Sequence, residues 1–131
     1  MRQDELSEYA REYSDRPPRI YGVAEAIVIE LHGDIDLVAY QDSVGLVDTA
    51  TGGREPLVIV DLSKVDFVDC SGLSLVMRAH RRVTARGGRL RVVCAHPLTL
   101  RMLRVTRLSA ALSPAPTLAE ALREPDGDGR D

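Results

Sequence analysis

Asp69, Cys70, Ser71 and Gly72 stand in a row within VDFVDCSGL, residues 65–73. An acid, a thiol and a hydroxyl side by side could form a nucleophile or accept a transferred group. Two apolar residues lead into Asp69, and an apolar, Arg-studded segment follows Gly72. The tetrapeptide therefore falls where a strand hands over to a helix. A helix N-terminus has unpaired backbone N–H groups and a partial positive charge. Asp69 or Ser71 can cap it, and capping alone accounts for both residue types.

Three chemical readings stand beside the cap. A helix start lowers a cysteine pKa, which makes Cys70 a candidate thiol nucleophile. A phosphate-cradling cysteine loop, however, needs an Arg nearer the thiol than Arg78, the first one here. A Cys–His pair would need His32, His80 or His96 close in space. The second reading is nucleotide binding, but the glycine pairs at 52–53 and 87–88 match neither a dinucleotide fingerprint nor a P-loop. The third is a switched hydroxyl. A phosphoryl group at a helix N-terminus gains from the dipole and adds about −1.5 to −2 charges. Ser71 offers the hydroxyl and Ser74 lies one turn on. A kinase would have to be a partner, because no ATP-binding motif is present.

The elements that must position these residues follow from periodicity. Residues 1–19 form a polar leader ending in Pro17-Pro18, which cannot continue a helix. Ile20–Val23 and Ala26–Leu31 suit strands. HGDID, residues 32–36, is expected to turn the chain, with Asp36 as an N-cap. Leu37, Tyr40, Val44 and Val47 have helical spacing over 37–51, and Gly52-Gly53 stops that helix. LVIVD, 57–61, reads as a strand buried on both faces, with Leu62–Val68 as a connection. The next helix runs from Ser71 to Arg86, its stripe being Leu73, Val76, Met77, His80 and Val83. LRVVCA, 90–95, is a strand, and Pro97 opens a short helix. Residues 109–113 are expected to be a short strand. Thr117 caps a last helix, and 124–131 is a polar tail. The order β, β, α, β, α, β, α, short β, α predicts one α/β domain over 20–123 with a mixed, mostly parallel sheet.

Composition narrows the partners. The chain has 131 residues, 44% hydrophobic, with no Trp and Phe67 as its only Phe, so the core is aliphatic. Two cysteines give no disulfide framework, and no apolar run suits a signal peptide or membrane span. A soluble, reduced, cytoplasmic protein without cofactor or metal is expected. Residues 1–70 carry 15 acids against 6 bases, whereas 71–107 carry nine Arg and no acid. The chain is acidic overall and no aromatic lies among those arginines to stack on bases. Solvated helix faces are therefore favoured over direct nucleic-acid binding.

VIVDLSKVDFVDCSGLSLVM, residues 58–77, resembles the signature of STAS domains, the family of bacterial anti-sigma factor antagonists. LHGDID, 31–36, resembles the family's L-x-G-E-I-D, with Asp34 where Glu is usual. HPLTLRMLRVTRLSAAL resembles its third helix and short strand, and PTLAEAL its last helix. The resemblance implies a STAS-like mixed sheet with about four α-helices and a non-enzymatic role. It also implies a partner: an anti-sigma factor that is itself a serine kinase of ATPase fold. Binding frees a sigma factor, phosphorylation of the antagonist at the helix start releases it, and a phosphatase resets it. Carried over by position, Asp69 matches the acid before the phosphoacceptor, and Asp36 the acid of the first motif. Cys70 falls on the acceptor itself, Ser71 on the hydroxyl residue after it and Gly72 on the glycine. The expected partner-binding set is Asp34, Asp36, Asp69, Cys70, Ser71, Gly72, Leu73 and Ser74. A thiol is no ordinary substrate for a serine kinase. Ser71 is then the phosphoacceptor candidate, beside constitutive binding without phosphate and a redox-sensitive Cys70. Some relatives that lack a usable acceptor serve as regulatory subunits of lipid-transport ABC ATPases or stress-signalling scaffolds, which is the alternative role. Oligomeric state is left open.

Overall fold

The structure, a computed structural model, describes residues 18–123; the tail and all but the end of the leader lie outside them. Strand β1 is Arg19–Val23, β2 Ala26–Ile35, β3 Leu57–Val68 and β4 Arg89–Val93. Helix α1 is Leu37–Thr51, α2 Cys70–Ala85, α3 Pro97–Val105, α4 Ser109–Leu112 and α5 Leu118–Leu122. The sheet order is β1-β2-β3-β4, with β1 antiparallel to β2 and the other neighbours parallel. This is the mixed, mostly parallel sheet that the alternating pattern predicts.

Strand alternation sends side chains to two cores of unequal size. Ile29, Leu31, Val58, Val60 and Leu62 join Val47, Leu75, Val76, Ala79, Val83, Leu103 and Leu112 in the main core. Val28 and Ile59 meet Val93, Ala115 and Ala121 in a smaller one on the opposite face, beneath α5. Helices α1 and α2 share the main-core face, as successive crossovers of one hand require.

Four expectations need correction. HGDID is no turn: β2 runs through it to Ile35, absorbing Gly33 at φ 69° as a register shift against β3. The connection 62–68 is strand as well, since β3 continues to Val68 beside that extension. The short strand expected at 109–113 is helical. One turn of helix puts Leu112 into the main core, and Ser113 closes it in the left-handed region at φ 45°. Only Ala115, just beyond, bridges β4, at Val93. The described residues thus hold five helical segments, two of them short. Finally, the buried stripe of α2 is Gly72, Leu75, Val76, Ala79 and Val83. Leu73, Met77 and His80 sit at its half-buried rim.

About half of the arginine-rich segment's guanidinium groups bind their own chain. Arg78 Nε and Nη2 donate to the two carboxylate oxygens of Asp48, each at 2.7 Å, clamping α2 to α1. Arg82 donates to Thr51 Oγ1 and Asp48 O, and Arg86 to the carbonyls of Thr51 and Glu55. Arg91 donates to Ser113, Glu120 and Ala121 carbonyls. Arg81, Arg101, Arg104 and Arg107 are exposed.

The clamp predicts an acid sensitivity. The hydrogen bond from Arg78 holds the Asp48 carboxyl below its ordinary range, outweighing partial burial, with Arg82 adding to the effect. A carboxylate depressed in the folded state contributes stability above the unfolded pKa of about 3.9 and loses it as pH falls through the folded value. Melting temperature is expected to fall more steeply below about pH 4 in the native chain than in Asp48→Asn, which carries no titrating group there. Parallel pH profiles of the two would contradict it.

Candidate functional site

β2 and β3 lie side by side and parallel, so the two turns that leave them for α1 and α2 open at the same end of the sheet. Asp36 caps α1, its Oδ1 accepting from Ala39 N at 3.0 Å. Asp69 caps α2, its Oδ1 accepting from Ser71 N at 2.8 Å and Gly72 N at 3.1 Å. Asp69 N–H in turn donates to Ile35 O at 3.3 Å, joining one turn to the other. Gly72 lies so close to β2 that an added Cβ would come within 2.8 Å of Ile35 Cγ2 and 2.9 Å of its Cβ. Only a residue without a side chain permits that approach.

The expected residues therefore assemble. Cys70 is the first helical residue and is exposed, Ser71 half-buried, Gly72 buried, Leu73 half-buried and Ser74 exposed. Asp34 is half-buried and lies opposite Phe67 in the β2–β3 ladder. Two open grooves flank the start of α2. One, about 260 Å³, is lined by Leu37, Tyr40, Ser71 and Ser74. The other, about 350 Å³, is lined by Cys70, Leu73, Ser74, Met77, Arg81 and Leu108. Ser74 belongs to both. Leu37, which lines the first groove, is 56% exposed, and Val38 and Phe67 are 51% and 55% exposed.

Motif reading missed Leu37, Val38, Tyr40, Phe67, Arg81 and Leu108. Their signal was present for Phe67 alone: it is the only Phe in a chain with an aliphatic core, two residues before the cap. Leu108 reaches the groove through the α3–α4 corner, which local pattern does not reveal.

Among the described residues no hydrogen bond joins a histidine to Cys70. His32 Nε2 is 2.9 Å from Glu30 Oε1, and His96 caps α3 by accepting from Leu98 N at 3.2 Å. His80 lies on α2 more than two turns beyond Cys70. Among the described residues no cluster of three or more His, Cys, Asp or Glu could hold a metal ion. No helix among them is long and apolar enough to cross a membrane. Asp69→Ala is expected to cost about 1–2 kcal/mol, because two backbone N–H groups lose one acceptor. A chemical denaturation midpoint unchanged by that substitution would contradict the cap.

The geometry has relatives. The family model for the STAS domain matches residues 17–121. An anti-sigma factor antagonist from Mycobacterium paratuberculosis is 25% identical with a TM-score of 0.73, over 80% of this chain and 89% of that one. The Bacillus cell fate determinant SpoIIAA in its phosphorylated form is 26% identical with a TM-score of 0.64, over 80% and 96%. A STAS-domain protein from Planctomyces limnophilus, 23% identical with a TM-score of 0.71 over 81% and 94%, shares the fold. No curated protein matches the chain in sequence. With four-fifths of its length under the family model, two joined strand-to-helix turns and a mixed sheet in the same order as its elements demand, the chain belongs to the STAS domain family.

Proposed function

We propose that this protein is an antagonist-like docking module that binds an anti-sigma factor of ATPase fold and so releases a sigma factor. The observation that carries this reading is the display of Cys70, Ser71 and Ser74 between two open grooves at the capped start of α2. The grooves and the exposed Leu37, Val38 and Phe67 supply apolar area, and the helix end supplies oriented N–H groups. Among the described residues no histidine is hydrogen-bonded to Cys70, which supports binding over catalysis.

Phosphate would act here as a switch of the surface, not of the fold. Added to Ser71, it would sit beside the Asp69 carboxylate and the groove of Leu37 and Tyr40, placing about two negative charges against an apolar contact. The helix dipole tolerates that charge inside the domain, while a docked partner meets repulsion and desolvation. Incubation with the partner kinase and ATP is expected to add one phosphate by intact mass, lost in Ser71→Ala. Cys70→Ser restores a hydroxyl at the acceptor position and is expected to raise the phosphorylated fraction. A native mass unchanged by the kinase, with Cys70→Ser phosphorylated, would make this chain a constitutive binder.

Cys70 itself favours the second reading, a regulatory subunit without a phosphate switch. Co-purification with an ABC-type ATPase in place of an anti-sigma kinase would establish it.

A further inference from the structure

The second groove beside α2 is built on one row of that helix. Leu73, Met77 and Arg81 stand at i, i+4 and i+8, which stacks them along a single face over about 12 Å. Leu108, from the α3–α4 corner, supplies the other wall. The corner is held by backbone: Leu108 N–H donates to Leu103 O at 2.8 Å, and Arg107 before it stands in the left-handed region at φ 65°, where glycine is the usual residue. The floor is thus apolar and half-buried, and the end away from the cap carries a cation. The ion pairs of this arginine-rich segment use Arg78 and Arg82, both on Asp48. Among the described residues no carboxylate pairs with Arg81, Arg101, Arg104 or Arg107, and all four are exposed. No acid occurs from 71 to 107, and no described acid lines the groove. Asp69, the nearest in sequence, is occupied by the cap of α2.

We infer that this groove takes an acidic amphipathic helix, a choice of partner chemistry that rests on the docking function proposed above. Its apolar residues lie on Leu73, Met77 and Leu108, and a carboxylate meets Arg81. Charge selects the acid. Arg81 and the three exposed arginines of α3 and its corner set up a field that attracts carboxylates and repels a basic segment. Shape selects the helix. A row of side chains at i, i+4 and i+8 beside a second wall complements the ridge of another helix, whose apolar residues recur at i, i+3, i+4 and i+7. A bilayer is flat and would meet the rim, leaving the half-buried floor untouched. A rim arginine acts mainly on encounter and register, so its loss is read in salt dependence as well as in affinity.

The test uses the full chain, isotope-labelled for NMR, and a synthetic helical peptide of about 15 residues with leucines at the apolar positions and glutamates elsewhere. A twin peptide carries lysine in place of every glutamate. The acidic peptide is expected to shift the amide resonances of Leu73, Met77 and Leu108 saturably, whereas the twin leaves them in place. Arg81→Glu, a change on an exposed side chain, is expected to weaken the acidic peptide by about tenfold with an unchanged melting curve, and to flatten the dependence of its affinity on salt. Equal shifts from both peptides, or from neither, would overturn the assignment. So would the same amides moving with phosphatidylglycerol vesicles and not with the acidic peptide, because a membrane would then be the occupant. An anti-sigma factor that binds the native chain and Arg81→Glu equally well would also overturn it, and would leave the docking function standing. Failure of every anti-sigma factor to bind strikes the docking function alone, since the peptides report on the groove without them.

Discussion

Gly72→Ala is expected to destabilise the domain by about 3 kcal/mol, the upper end of the range for overpacking a filled site. The added methyl meets the backbone carbonyl of Ile35 as well as its side chain, and a carbonyl inside a parallel ladder cannot swing aside. Relief requires α2 to back away from β2. That movement stretches the Asp69–Ile35 hydrogen bond and takes Leu75 and Val76, both nearly fully buried, out of register with the sheet. In a domain of about a hundred residues the loss corresponds to a melting temperature lower by more than about 10 °C. Thermal unfolding checks it, and Gly45→Ala is the control. Gly45 lies within α1 with nothing within 4 Å of an added Cβ, so the same substitution there is expected to stabilise slightly by helix propensity. Equal effects at the two positions would refute the close approach.

Ser74→Arg is expected to weaken partner binding by about a hundredfold or more, on the scale of a central hot spot, while leaving stability within about 0.5 kcal/mol. Ser74 is exposed and one turn from the cap, so a long side chain has room in the free protein. It lines both grooves, however, and an arginine there fills the ridge between Tyr40 on one side and Leu108 on the other. A surface pressed onto α2 would have to bury that guanidinium without a designed acceptor. Isothermal titration against the partner, paired with a melting curve of the free variant, separates lost docking from lost fold.

The strand and helix types were legible wherever one principle governed a segment. LVIVD had to be a strand buried on both faces, and it is, between the two cores. Asp36, Asp69 and Thr117 announced caps by type and position, and each accepts a backbone N–H of its helix. The reading failed where the deciding contact is distant in sequence. HGDID has turn chemistry locally, but β3 offers a parallel partner over 64–68 and the ladder overrides the turn signal. LSAAL looked extended beside the expected core, whereas helical i, i+4 spacing lets both Leu108 and Leu112 pack on it. The site divided the same way. Its capped start of α2 could be read from DCSG alone. The grooves could not, because their walls come from α1 and from the α3–α4 corner, some 30 residues away on either side.

The central claim is that the start of α2 is a protein-docking surface for an ATPase-fold anti-sigma factor. Its most direct test is a titration of the purified full chain into each such kinase encoded by the same organism, alongside Ser74→Arg. Saturable one-to-one binding to one of them, abolished by Ser74→Arg and unaffected by Gly45→Ala, is the predicted result. Binding to none of them, or binding that Ser74→Arg leaves intact, would contradict the claim.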